Sequence, residues 1–301
     1  MIANPPPRRY FIGSQPQGAP PLPPGLYLTA TPIGNLGDIT LRALSCLAAA
    51  DVILCEDTRN TAKLAQRYSI RSPLKPYHDH NGAKVRPAVL EMLREGKVVA
   101  LVSDAGTPLV NDPGYKLVQE ALAEGFRVEM LPGPAAPVMA LALSGLPSDR
   151  FLFAGFLPPK SVARKGVLQE LGTVQASLIF FETAPRIQAS LADIAEILPG
   201  RRVAIARELT KLHEEVLRGQ PPELAADITK RGGLKGEITL VIAPPEAGAA
   251  APETDELDEM LRDCLSRMGV KEVAAEIAAR TGLGKRQLYA RALALKDEGL
   301  A

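Results

Sequence analysis

The chain has no tryptophan, only 4% aromatic residues, three cysteines and three histidines among its 301 residues. Cys46, Cys55 and Cys264 make no CxxC pair and no disulfide-like spacing, and with so few histidines they offer no zinc cluster, so no metal is expected. No apolar run approaches the roughly 18 residues that a membrane span requires. Arg8 and Arg9 are followed by no hydrophobic stretch of the kind a secretory signal carries. A soluble cytoplasmic protein is therefore expected. Excess charge is missing as well: 35 bases against 34 acids leave a formal net charge of +1. Any contact with nucleic acid must then come from a local patch. The common nucleotide and nucleophile motifs, GxGxxG, GxxxxGK[ST] and GxSxG, are all absent.

What the sequence does hold is aliphatic. Hydrophobic residues make up 46%, enough for two ordinary domains and something smaller. Residues 1–24 contain eight prolines and are expected to form a disordered leader. Beyond them, short apolar runs at 26–30, 52–55, 98–102, 127–131, 151–153, 178–181, 203–206 and 238–242 alternate with amphipathic helical patterns. Ile187, Leu191, Ile194 and Leu198, for example, fall on one helix face. Runs apolar on both sides are the mark of strands covered by helices. The expected fold is α/β, with two α/β domains at 25–145 and 146–243 whose sheets are largely parallel or mixed. A linker is expected at 244–253.

Residues 254–301 are expected to form a small all-helical module resembling a helix-turn-helix, with helices at 271–282 and 285–296 and a turn at 282–284. Residues 253–263 hold six acids against Arg262, and 267–296 hold seven bases against Glu272 and Glu276. The basic helices, including Lys285, Arg286 and Arg291, suit phosphate contacts; the plainer alternative is a solvated appendage.

Three small-residue loops follow strands: 31–38, 103–108 and 131–136. Ligands of parallel sheets bind beyond the carboxyl ends of strands, where such residues permit close approach. One such loop alone is ordinary turn chemistry. Asp112-Pro113-Gly114 is expected to start a helix, and Asn81-Gly82 to make a turn.

Taken in order, TPIGNLGDIT (31–40), CEDTR (55–59), YHDHN (77–81), SDAGTPLVNDPG (103–114), LPGPAA (131–136), RELTK (207–211) and GEITLVI (236–242) resemble the tetrapyrrole methylase superfamily, and within it the branch that methylates ribosomal RNA. The resemblance covers residues 25–297. It implies S-adenosylmethionine bent into the cleft between two domains, and 2′-O-methylation of a cytidine in the decoding region of 16S ribosomal RNA within the small ribosomal subunit. It also implies a homodimer. Pro32, Asp104, Ala105, Gly106, Thr107, Gly133, Pro134 and Ala135 would hold the cofactor from the first domain. Phe181, Ala206, Glu208 and Gly236 would hold it from the second.

A ribose hydroxyl is a weak acid and needs a base or an electrostatic stabiliser. Glu56 and Asp57 suit proton abstraction, and Lys211 suits alkoxide stabilisation. Arg59 and Asn81 join the basic C-terminal residues as candidate substrate contacts. The competing reading of Asp57 is a helix N-cap, and that of Glu208 and Lys211 a salt-bridged strand end. Two other functions stand beside the ribosomal one: the same fold acting on a tetrapyrrole or another small substrate, and a DNA-binding regulator. The first leaves the basic tail without a role; the second leaves the α/β body without one.

Overall fold

A computed structural model describes residues 8–245, 254–281 and 285–298. Most of the expected linker and the 282–284 turn lie outside these residues. The chain opens with a hairpin, β1 (Arg9–Ile12) and β2 (Gln15–Gly18), paired antiparallel. For residues 8–24 this corrects the expectation of a disordered leader; residues 1–7 lie outside the described residues. Proline content argued for disorder, but Tyr10 and Ala19 are buried, and the Phe11 amide donates to the Tyr68 carbonyl at 2.9 Å. Arg8 reaches Asp51 and the Ala49 carbonyl. Docking against the body supplies the burial that the segment lacks by itself.

The first α/β unit runs β3 (Gly25–Thr29), α1 (Leu41–Ala49), β4 (Val52–Cys55), α2 (Thr58–Arg67), β5 (Leu74–Pro76), α3 (Asp79–Arg94), β6 (Val98–Leu101), α4 (Tyr115–Ala123) and β7 (Val128–Leu131). Its five strands are ordered β5-β4-β6-β3-β7 and all pair in parallel. β3, β4 and β6 are buried throughout, as helices on both faces require. Two local expectations fail here. Asn81-Gly82 lies inside α3, where Gly82 packs against the Tyr77 ring. Helix α4 starts at Tyr115 with Gly114 as its cap at φ 130°. A Cβ at Gly114 would meet Leu101 Cδ2 at 2.7 Å, so the glycine serves close packing, and Asp112 is released from capping.

The second unit comprises α5 (Ala136–Ser144), β8 (Phe151–Phe156), α6 (Ser161–Gly172), β9 (Ser177–Thr183), α7 (Ile187–Ile197), β10 (Val203–Arg207), β11 (Glu215–Gly219), α8 (Pro221–Lys230) and β12 (Glu237–Ile242). Its sheet is mixed, ordered β11-β10-β12-β9-β8, with only β8 and β9 parallel. Chain order places α5 with the first unit, yet it packs on β9, β10 and β12. Ala140 and Leu141 of α5 join Ile33, Ile179, Ala204, Ala206 and Val241 in one core at the junction. Strands β5 and β11 escape the apolar-run pattern because both are edge strands with polar residues. Helices α9 (Thr254–Leu265), α10 (Val270–Thr281) and α11 (Lys285–Glu298) pack on one another around Leu261, Val273, Ile277 and Leu288.

Candidate active site

The first-domain loops are tied to each other. Thr31 and Gly106 form an antiparallel bridge, with N···O distances of 2.9 and 3.0 Å. Thr107 Oγ1 donates to the Pro134 carbonyl at 3.1 Å. Gly133 lies so near β3 that a Cβ there would stand 2.8 Å from the Ala30 Cβ. Strand-end turns after β3, β6 and β7 thus form one wall. Gly106 takes φ 82°, a left-handed conformation that glycine adopts without strain.

Facing this wall across a cavity of about 600 Å³ are residues of the second domain, Phe181–Pro185 and Leu234–Thr239. Phe181 stacks edge-on with Phe153 at 4.9 Å and tilted against Phe156 at 5.4 Å. Gly236 sits at φ 94°, and a side chain there would strike Glu208. Glu208 itself accepts from Lys211 Nζ and from the Glu237 amide, both at 2.9 Å. On the first-domain side of the same seam, a Cβ at Gly34 would meet Lys211 Cγ at 2.5 Å and the Leu209 carbonyl at 2.9 Å. The two domains therefore touch through backbone at the edge of the cavity.

Of the residues expected to hold a cofactor, Ala105, Gly106, Thr107, Ala135, Phe181 and Gly236 line the cavity. The others are not among its lining residues. Asp104 accepts from the Asp57 amide at 2.9 Å and from Asn60 Nδ2 at 3.0 Å, joining the β6 loop to the start of α2. Pro32, Gly133 and Pro134 lie in the packed loops, and Glu208 braces Gly236. Ala206 is buried between β11 and β12, so it presents no free backbone to a ligand. A cavity with a mainly apolar lining, one aromatic wall and two glycine-dependent approaches fits a nucleoside bearing a short aliphatic arm.

The catalytic expectations need correction. Asp57 caps α2, accepting from the Arg59 amide at 2.8 Å, and chelates the Arg59 guanidinium. Those hydrogen bonds hold its pKa down to about 2, which makes it a poor base at neutral pH. Lys211 Nζ lies between Glu208 and Glu237 at 2.9 and 3.0 Å. Its charge is already compensated and offers little to an oxyanion. Glu56 is exposed and its pKa is raised by partial burial and by Asp104, but it does not line the cavity. Among the expected substrate contacts, Asn81 is engaged at the α3 start, accepting from the His78 amide and donating to the Pro76 carbonyl. Arg291 Nε donates to buried Asp258 at 2.8 Å, an internal clamp. Lys285 and Arg286 remain exposed.

The sequence reading missed Asp112. It lines the cavity, and burial together with Glu56 raises its pKa to about 6. The intervening segment is held in unusual geometry, with Leu109 at φ 70° and Asn111 at φ 65°. Such conformations in non-glycine residues mark functional loops. The only sequence signal was the acid within SDAGTPLVNDPG.

Comparison with known proteins agrees with this geometry. The profile of tetrapyrrole (corrin/porphyrin) methylases matches residues 25–225, and that of the RsmI C-terminal HTH domain matches 251–296. "Ribosomal RNA small subunit methyltransferase I" of Mesorhizobium japonicum is 50% identical over 95% of this chain and 97% of its own. The protein of that name from Escherichia coli O157:H7 is 44% identical, over 89% and 94%. Among solved structures, diphthine synthase aligns with TM-score 0.57 at 15% identity, covering 72% of this chain and 89% of its own. The uroporphyrin-III C-methyltransferase of Thermus thermophilus, solved with S-adenosyl homocysteine, aligns with TM-score 0.50 at 20% identity, over 73% and 97%. At such identities these two speak for the fold alone. The chain belongs to the tetrapyrrole methylase family, beside the relatives named ribosomal RNA small subunit methyltransferase I.

Proposed function

We propose that this protein is an S-adenosylmethionine-dependent methyltransferase that modifies the ribose 2′-hydroxyl of a cytidine in 16S ribosomal RNA, within the small ribosomal subunit. The observation that carries the reading is the closure of three hydrogen-bonded strand-end loops against Phe181 and Gly236 around one cavity. The names of relatives 50% and 44% identical over most of the chain supply the substrate class.

When bound, the cofactor supplies an electrophilic methyl group, so the protein's task is alignment and proton management. Backbone at Ala105–Thr107 and Gly236 would seat the donor, with Phe181 as an apolar wall. Asp112 accepts the hydroxyl proton, because burial, reinforced by its acidic neighbours, raises its pKa to about 6, closer to working pH than an ordinary carboxylate. Asp57 and Asp104 keep the β4 and β6 loops together behind it. We further assign RNA contacts to Lys285 and Arg286 and place the enzyme in the cytoplasm as a homodimer. Exposed Val138 and Leu143 on α5 and Phe151 on β8 support self-association. No helix among the described residues is long and apolar enough to cross a membrane.

Labelled S-adenosylmethionine and small subunits lacking the modification test the reading. The expected product is label in RNA that survives alkali as an uncleaved dinucleotide. Label released with free bases, or label absent from RNA, contradicts it.

A further inference from the structure

Net charge hides a strong local asymmetry. Residues 58–78 carry five bases, Arg59, Lys63, Arg67, Arg71 and Lys75, and no acid. The bases recur at every fourth position. Along α2 this spacing advances about 6 Å per base and keeps one stripe on the solvent side, opposite buried Thr61 and Leu64. Arg71 follows the helix, and Lys75 lies on β5, the edge strand beside it. All five are exposed.

Among the described residues, several arginines elsewhere on the surface are neutralised. Arg86, Arg94, Arg127, Arg186, Arg207 and Arg231 each pair with a carboxylate. Within the stripe, Arg59 alone does so, with Asp57. Among the described residues, Lys63, Arg67, Arg71 and Lys75 form no ion pair with a carboxylate. An ordinary solvated face mixes both signs; a run of unpaired bases maintains a positive potential.

Its placement gives the stripe a direction. Helix α2 is capped by Asp57, whose amide donates to Asp104 in the loop beside the cavity. Carboxylates Glu56, Asp104 and Asp112 interact electrostatically there. At its far end, the N-terminal hairpin bonds to the Tyr68 carbonyl and adds exposed Arg9, whose guanidinium lies over Phe11. A polyanion is thus attracted along the helix and repelled at the carboxylates. A ribose with its backbone held upstream would meet the carboxylates through its neutral hydroxyl.

We infer that α2, the Arg71–Lys75 segment and the hairpin form a phosphate track that docks the ribosomal RNA backbone leading into the cavity. This rests on the ribosomal RNA reading above and adds a second contact surface to the C-terminal module. The contacts are electrostatic and read no sequence.

The test is filter binding of a 16S decoding-region fragment between 50 and 300 mM salt, by the parent protein and by Arg67→Gln/Arg71→Gln/Lys75→Gln. Affinity should fall about tenfold, and the slope of log K against log salt should flatten by about 2, as three lost phosphate contacts require. Calorimetric affinity for S-adenosylhomocysteine should be unchanged. The charge-preserving Arg67→Lys/Arg71→Lys/Lys75→Arg variant should restore RNA binding. A neutral variant with parental affinity and slope overturns the track while leaving the methyltransferase reading intact. A parent that fails to hold the RNA overturns that reading too. A loss confined to anionic lipid vesicles, with RNA affinity intact, also overturns the track.

Discussion

Asp112 shows how environment assigns a role to a common residue. Its sequence context, followed by proline and glycine, is that of a helix start, and nothing local separates the two uses. Only the fold reveals that Gly114 caps α4 and that the carboxylate faces the cavity among other acids. With its pKa raised to about 6, its charged, proton-accepting form fades as pH falls through 6. The methylation rate under saturating substrate should therefore decline below about pH 6. Asp112→Asn should lower kcat by about 10²- to 10⁴-fold while leaving cofactor affinity near parental, as single-turnover assays and calorimetry would record. The sign for stability is opposite. A carboxyl whose folded pKa lies above its unfolded value costs stability above that pKa, so Asp112→Asn should melt at or above the parental temperature at pH 8. A variant that melts well below parent would place Asp112 in the framework instead.

At the scale of elements, the legible parts were those with two-sided burial. β3, β4 and β6 announced themselves as apolar runs, and the loops after β3, β6 and β7 carried small residues because backbone approaches backbone there. The hairpin was illegible because its two buried side chains, Tyr10 and Ala19, find their partners in distant segments. Half of the expected cofactor contacts line the cavity; the remainder do not. Residue type alone does not separate a loop that touches a ligand from the loop bracing it. Arg291 teaches the same lesson, since a basic residue on a basic helix turned out to clamp buried Asp258. Arg291→Ala should leave that carboxylate unpaired and destabilise the α9–α11 module by about 2 kcal/mol, visible as earlier loss of helical signal on heating. At the seam, Gly34→Ala should force Leu209–Lys211 away from the first domain and weaken cofactor binding, measurable by calorimetry.

For the whole molecule, the architecture divides labour. In the proposed reading, a parallel sheet and a mixed sheet meet around the cavity that would hold the methyl donor, and separate basic surfaces would meet the polymer. The α9–α11 module has its own core, so a chain ending after Pro245 should still bind cofactor while methylating subunits more slowly. Equal rates for the truncated and full chains would remove RNA contact from the module's role.

The cavity between the domains underlies every other assignment, and its occupancy can be measured directly. Titration calorimetry with S-adenosylhomocysteine should show one site per chain in the parent protein. In Gly106→Val, which crowds Ile33 and breaks the left-handed turn, affinity should fall at least tenfold. Absence of uptake by the parent, or equal affinity in the valine variant, would contradict the account.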